Sequence, residues 1–197
     1  MDTKQHIINV ASKLFAQYGY DAVSVRDIIR KANVNLGAIT YHFGGKEELY
    51  RELILDIAIK LRAEVAKLET LDCSATEKLT LFIQSYMRML LQNPNRARMI
   101  LMEMSLGEKR LMNVLAPYII SNSGTLMKIL ESGMQSGEFR KMDIKLSVIH
   151  IMSVCVHFIT VQPLLKRFFS ISRYDEQFIT MAIQETTHFV LTSIRNK

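Results

Sequence analysis

The chain has 197 residues, nearly half of them hydrophobic, with only three prolines and eight glycines and a formal net charge of +6. This composition excludes a disordered or low-complexity chain and fits a folded, mostly helical protein with ample capacity for a buried core. The charge favours a polyanionic partner, but it is spread thinly: ten Lys/Arg face eight Asp/Glu in residues 1–68, and fifteen face eleven beyond them.

The first helix is expected from about Thr3 to Tyr18. Ile7, Ala11 and Leu14 fall on one stripe, Ile8 and Phe15 lie beside it, and Gly19 is placed to cap the C-terminus. Ser24 and Asp27 have capping-box spacing and open a second, short helix whose Val25, Ile28, Ile29 and Ala32 share a face. Asn33 stands where the chain must turn, and Asn tolerates the left-handed conformation better than most non-glycine residues. Val34 is suited to fill the angle to a third helix, Leu36 to Phe43, for which Asn35 is the expected cap. In this reading Ile39 and Phe43 point inward, Gly37, Ala38, Thr40 and Tyr41 lie outside, and His42 ends the helix. A short helix held across another, with small residues and a hydroxyl outside, suits a major groove; this is a helix-turn-helix pattern.

Gly44-Gly45 breaks the third helix, and a longer one is expected from Lys46 to about Leu68, with Leu49, Leu53, Ile57 and Leu61 on one face. Glu69 to Ala75 is the candidate domain boundary. Ser74 and Glu77 form a second capping box, opening a helix to about Gln92. Asn93-Pro94 starts the next, to Leu106, and Gly107 marks a break. A helical stretch to Gln135 follows, broken or bent near Pro117, with Ser136-Gly137 at its end. Asp143 caps the next helix, and Ser172 with Asp175 starts the last, which reaches about Arg195. No segment shows strand alternation, so the fold class is all-α.

The residues Leu14, Phe15, Gly19, Ser24, Val25, Ile28, Ala32, Val34, Gly37, Tyr41, His42, Phe43, Lys46, Glu47 and Leu49 resemble, in order and spacing, the tetracycline-repressor (TetR-type) transcriptional regulators. The resemblance covers roughly the first 60 residues. Asn33 departs from the family's usual Gly and Asn35 from its common Ser, and both replacements can do the same backbone job. The resemblance implies about nine helices in two parts: a helix-turn-helix DNA-binding domain over 1–68 and an effector-binding and dimerisation domain over 69–197. It matches Arg26, Leu36, Gly37, Ala38 and Thr40 to base-facing positions, and Ser24, Asn35, Tyr41, His42 and Lys46 to phosphate-facing ones. The chemistry agrees: Arg reads guanine bidentately, small groups meet a thymine methyl, and Lys46 is suited to a phosphate. The plainer alternative for Tyr41 and His42 is that they cap and pack the helix end.

In the second part, Met87, Met99, Met102, Met127 and Met152 would adapt to a hydrophobic effector, with Gln84, Tyr86, Tyr118 and His157 as polar anchors. Ordinary gap-filling explains the methionines equally well. Ser147 to Leu165 is apolar nearly all round, so it is either deeply buried or paired with another chain. A membrane span is disfavoured by His150, Ser153, His157, Thr160, Gln162 and Pro163. At ~100° per residue His150, Ser153, His157 and Thr160 form a stripe that lines a cavity or bonds across a helix interface.

No motif suggests catalysis, a cofactor or a metal. His150 and His157 are about two turns, ~10 Å, apart along a helix, too far to chelate one ion alone. Cys73 and Cys155 have no metal or disulfide spacing and suit a reducing, cytoplasmic setting; the opening MDTKQHIINVASKLF does not read as a signal peptide. The expected function is a homodimeric repressor that binds a palindromic operator in double-stranded DNA and is released by a small hydrophobic effector. Two rivals remain at this point: a helical interaction bundle without operator binding, and an enzyme acting on a lipophilic substrate through the His150/His157 stripe.

Overall fold

The computed structural model describes residues 2–35, 37–106, 109–171 and 174–196. Among them are nine α-helices and no strand: α1 (Thr3–Tyr18), α2 (Val25–Ala32), α3 (Ala38–Phe43), α4 (Lys46–Lys67), α5 (Ala75–Gln92), α6 (Pro94–Leu106), α7 (Lys109–Ser136), α8 (Ile144–Phe169) and α9 (Glu176–Ile194). They pack as two compact units, one of Met1–Ala58 with Asn93–Leu115, the other of Ile59–Gln92 with Ala116–Lys197. This packing division differs from the expected functional one at 68/69: α4 divides after Ala58, and α6 joins the first unit, where it packs on α1.

In the first unit α1 also lies against α2, and α2 against α3. Ile7, Ala11 and Phe15 of α1, Ile28 of α2, Ile39 of α3 and Leu49, Leu53 and Ile54 of α4 are almost fully buried. Asp2 caps α1 by accepting from the Lys4 N–H at 3.2 Å, and Gly19 ends it with a positive φ of 80°. Asn33 ends α2 in the left-handed conformation (φ 52°, ψ 50°), and its N–H bonds the Ile29 carbonyl. The turn is thus made by Asn, whose short polar side chain tolerates a conformation in which a Cβ is costly.

In the second unit α5 is the central helix, packed against α8 and α9 with Leu79, Phe82, Ile83, Met87 and Leu91 inside. Fully burying each such side chain contributes roughly 1.5–3 kcal/mol. The first turn of α5 is capped from a distance: the Glu138 carboxylate accepts from the N–H groups of Ala75 (3.1 Å) and Thr76 (2.9 Å). Arg62 donates to Glu69 (2.9 Å) and to Thr125 (3.2 Å), and Thr125 donates to Glu69 at 2.7 Å. An isolated antiparallel bridge between Phe139 and Arg195 ties the α7–α8 turn to the end of α9.

Four local expectations change. α3 begins at Ala38 with Gly37 as its N-cap in helical conformation, so Asn35 is not the side-chain cap; its carbonyl instead accepts from the Ala38 N–H at 3.0 Å. Of the break or bend expected near Pro117 the break is absent, since α7 continues through it as one helix. Asp175 itself caps α9 by accepting from the Phe178 N–H at 2.9 Å; Ser172, like the Gly107 break, lies outside the described residues.

The fourth concerns α8, whose length and mean hydropathy of 1.8 match a membrane span, yet only 22% of that stretch is buried in the chain. Val148, Ile151, Cys155 and Ile159 form its inner stripe. His150, Ser153, His157 and Thr160 are exposed instead of inside, and the Thr160 hydroxyl donates to the His157 carbonyl of its own helix at 2.8 Å. The polar stripe marks the outer face because the apolar surround of this helix exceeds what one chain covers.

Candidate nucleic-acid interface

Ser24 and Asp27 build the approach to the turn. The Asp27 N–H donates to Ser24 Oγ at 3.1 Å, the Ser24 N–H donates to Asp27 Oδ2 at 3.0 Å, and the Ser24 hydroxyl donates to the same oxygen at 2.5 Å. These bonds from the Ser24 hydroxyl and N–H, with Arg30 nearby, hold the Asp27 carboxyl below its ordinary range. Arg30 closes on Asp27 at 2.7 Å. Between Ser24 and Asp27 in the sequence, Arg26 is exposed on the first turn of α2.

α3 is one and a half turns long and is held by two anchors, Ile39 and Phe43, which are 1% and 9% exposed. The opposite side presents Gly37 and Thr40, both exposed, and Tyr41, at 84% among the most exposed large side chains. Among the described residues, its chain neighbours aside, nothing lies within 4 Å of where a Cβ on Gly37 would stand, so that side is open to an approaching surface. Ala38 and His42 are half-buried, and the Tyr41 and His42 rings meet edge-on at 4.9 Å. Thr3, Asn33, Val34, Asn35, Gly37, Ala38, Tyr41 and His42 line one shallow depression beside this face.

Lys46 follows at the start of α4, half-buried, its Nζ 4.0 Å from the centroid of the Tyr20 ring. A cation seated on an aromatic face keeps its charge while losing freedom of movement. The structure therefore brings Ser24, Arg26, Asn35, Gly37, Ala38, Thr40, Tyr41, His42 and Lys46 into one compact unit. Leu36 lies outside the described residues.

The expected effector residues are divided between the two units. Met102 belongs to the first unit, its Cε 3.5 Å from the place of a Cβ on Gly19. Met99, also in that unit, is fully buried. Met87 and Tyr86 are buried in α5, where the Tyr86 ring stacks on Phe82 at 5.7 Å and burial pushes its hydroxyl pKa upward. Tyr118, Met127 and Met152 are half-buried, and Ser123 Oγ lies 3.4 Å from Met152 Sδ. Gln84 and His157 are exposed, because both sit on the outer side of helices whose inner stripes the apolar residues claim. His157 lines an open groove with Ser153, Val154, Phe158, Glu185, Thr186 and Phe189.

Sequence reasoning missed Thr3, at the edge of the recognition face, and the group of half-buried Tyr20 with buried Tyr50 and Glu103 near Lys46. Tyr50 stands four residues after Lys46, one turn along the same side of α4, and Glu103 is the one acid in the run Met99 to Leu106. Those are the signals that were present.

Comparison with known proteins gives two family matches. Residues 7–53 match the model described as "Bacterial regulatory proteins, tetR family", and residues 76–190 match "Tetracyclin repressor-like, C-terminal domain". The HTH-type transcriptional regulator AcrR of Shigella flexneri is 42% identical over 52 residues, 26% of this chain and 24% of that protein. The probable HTH-type transcriptional regulator YttP of Bacillus subtilis is 23% identical over 156 residues, 78% of this chain and 75% of that protein. The ketosteroid transcriptional regulator KstR2 of Mycobacterium tuberculosis shares the fold, with a TM-score of 0.84 at 19% identity over all of this chain and 96% of that one. The match to AcrR thus spans about a quarter of each protein.

Proposed function

Because the chain belongs to the tetR family of bacterial regulatory proteins, we propose that it is a cytoplasmic, homodimeric, sequence-specific DNA-binding repressor. The observation that carries this reading is the two-sidedness of α3: Ile39 and Phe43 lock it to the core while Gly37, Thr40 and Tyr41 face outward. Ala38 and Leu36 join the base-facing set, with Arg26 reading from α2. Ser24, Asn35, Tyr41, His42 and Lys46 meet phosphates and set the register. Each subunit places α3 in a major groove, and two half-sites lie one helical turn or a multiple apart, ~34–36 Å for adjacent grooves.

The dimer forms through α8 and α9. Leu146 and Ile149 of α8 and Met181 and Phe189 of α9 are each more than half exposed in the single chain. Burial of such side chains is the main favourable term in association. The functional division runs 1–68 for DNA and 69–197 for the effector and the partner. A small hydrophobic effector bound in 69–197 favours a dimer geometry that no longer matches the operator, and by linkage DNA weakens effector binding by the same factor. The chain acts by binding, without catalysis.

The test is selection of bound fragments from genomic DNA, followed by a screen for compounds that release them. A recurrent palindrome with salt-dependent binding supports the reading. A folded dimer that shifts no fragment would refute it and favour an interaction bundle.

A further inference from the structure

The interior of the first unit holds a carboxylate that packing does not explain. Glu103 on α6 is 4% exposed; its Oε1 accepts a 2.6 Å hydrogen bond from the Tyr50 hydroxyl, and among the described residues the buried Oε2 has no hydrogen-bond partner. A half-satisfied buried carboxyl is a poor filler for a helical core. Replacing such a polar pair with apolar groups of the same shape is often neutral or stabilising, so its presence calls for another use.

The hydrogen bond has a consequence for the rings that Tyr50 touches. Tyr50, 3% exposed, is anchored through its hydroxyl to α6, and its ring meets Phe15 edge-on at 4.9 Å and Tyr20 at 4.8 Å. The Lys46 ammonium joins the same cluster, 4.0 Å from the Tyr20 centroid. One continuous chain of contacts therefore runs from a buried carboxylate to a cation at the protein surface. A lysine has four flexible side-chain bonds, and a seat on a fixed ring removes much of the freedom that a phosphate contact would otherwise have to remove.

We propose that Glu103 is a positioning residue for DNA binding: acting through Tyr50 and Tyr20, it fixes the Lys46 ammonium where a phosphate of the duplex is met. This rests on the reading of Lys46 as a phosphate contact, and the experiment separates the two.

The full-length chain and its variants are titrated against one genomic fragment selected by the wild type, between 50 and 200 mM salt. Lys46→Ala reduces the slope of log affinity against log salt by about one. The double variant Glu103→Leu with Tyr50→Phe removes both polar partners together, so the fold is kept, with a melting temperature within a few degrees of wild type. It loses about threefold to tenfold in affinity and part of the same slope. Glu103→Gln, which keeps an acceptor for Tyr50, binds as wild type does. In a Lys46→Ala background the double variant causes no further loss, a non-additivity that a merely structural role does not produce. Should the double variant fail to fold, Tyr20→Leu is judged by the same criteria. A folded double variant, or Tyr20→Leu in its place, with wild-type affinity and slope overturns the proposal, and so does a loss that persists undiminished without Lys46. An unchanged slope in Lys46→Ala alone overturns the phosphate reading of Lys46, and the positioning role falls with it.

Discussion

Ser24 and Asp27 cap each other: the serine oxygen accepts from the Asp27 N–H at 3.1 Å while the Asp27 carboxylate accepts from the Ser24 N–H at 3.0 Å. Two of the N–H groups that a helix leaves unsatisfied at its start are thereby covered. The cap fixes the first turn of α2, where Arg26 is displayed. Ser24→Ala should cost about 1 kcal/mol of stability and weaken DNA binding beyond the loss of one hydroxyl contact. Thermal unfolding and a band-shift titration of the same preparation check both; an unchanged melting temperature would contradict the cap's role.

Gly133 approaches the Phe139 ring so closely that an added Cβ would stand 2.1 Å from Phe139 Cδ2. The ring is buried at 2% and its backbone is bridged to Arg195, so it cannot swing away cheaply. Gly133→Ala should therefore destabilise the second unit by roughly 1–3 kcal/mol, the usual cost of overpacking, despite the better helix propensity of Ala. Urea denaturation is the measurement. A stabilised variant would show that the α7–α8 turn adapts freely.

Acid should unfold the chain through a small set of caps. Asp27 and Glu77 are held below their ordinary values first by the hydroxyls of Ser24 and Ser74, and Glu69 by the Thr125 hydroxyl and then Arg62. For Glu138 burial raises the value, but bonds from Thr76, Ala75 and Ser136 outweigh it and the net shift is downward. A carboxyl whose folded value is lowered stabilises the fold above its unfolded value, here 3.8 for Asp and 4.5 for Glu. That stability is lost as pH falls through the folded value. The melting temperature should hold from neutrality to about pH 5 and decline below it, less steeply in Glu138→Gln, which begins lower at pH 7. Parallel profiles for the two proteins would contradict this assignment.

The two thiols should behave differently. Cys155 is fully buried on the inner stripe of α8, and burial pushes its pKa up to about 12; Cys73 is half-buried ahead of α5. The thiolate is the reactive form, so an alkylating reagent at pH 8 should modify Cys73 in the native protein and reach Cys155 only after denaturation. Mass spectrometry of the labelled peptides decides. Rapid native labelling of Cys155 would mean that α8 opens readily from α5.

What was legible in the sequence was local. Capping boxes at Ser24/Asp27 and Ser74/Glu77, the left-handed Asn33 and the cap at Asp143 are set by residues three or four apart, and their geometry is the expected one. The start of α3 was misplaced because Asn35 has capping chemistry while Gly37, which caps the helix, has no side chain to announce it. The exposed side of α8 was hidden for a different reason. It is apolar nearly all round, so periodicity alone did not say whether the side carrying His150, Ser153, His157 and Thr160 meets a cavity, another helix or solvent. The Tyr50–Glu103 bond joins residues 53 apart and leaves no local pattern.

The central claim is that the outward side of α3, with Arg26 beside it, enters the major groove. Guanine N7 lies in that groove, so methylation interference on a selected fragment tests the claim most directly. The account predicts two clusters of interfering guanines, related by a two-fold axis and about 10 base pairs or a multiple apart, with at least one guanine per cluster losing its effect in Arg26→Ala. Binding that is indifferent to N7 methylation throughout the protected fragment would contradict it.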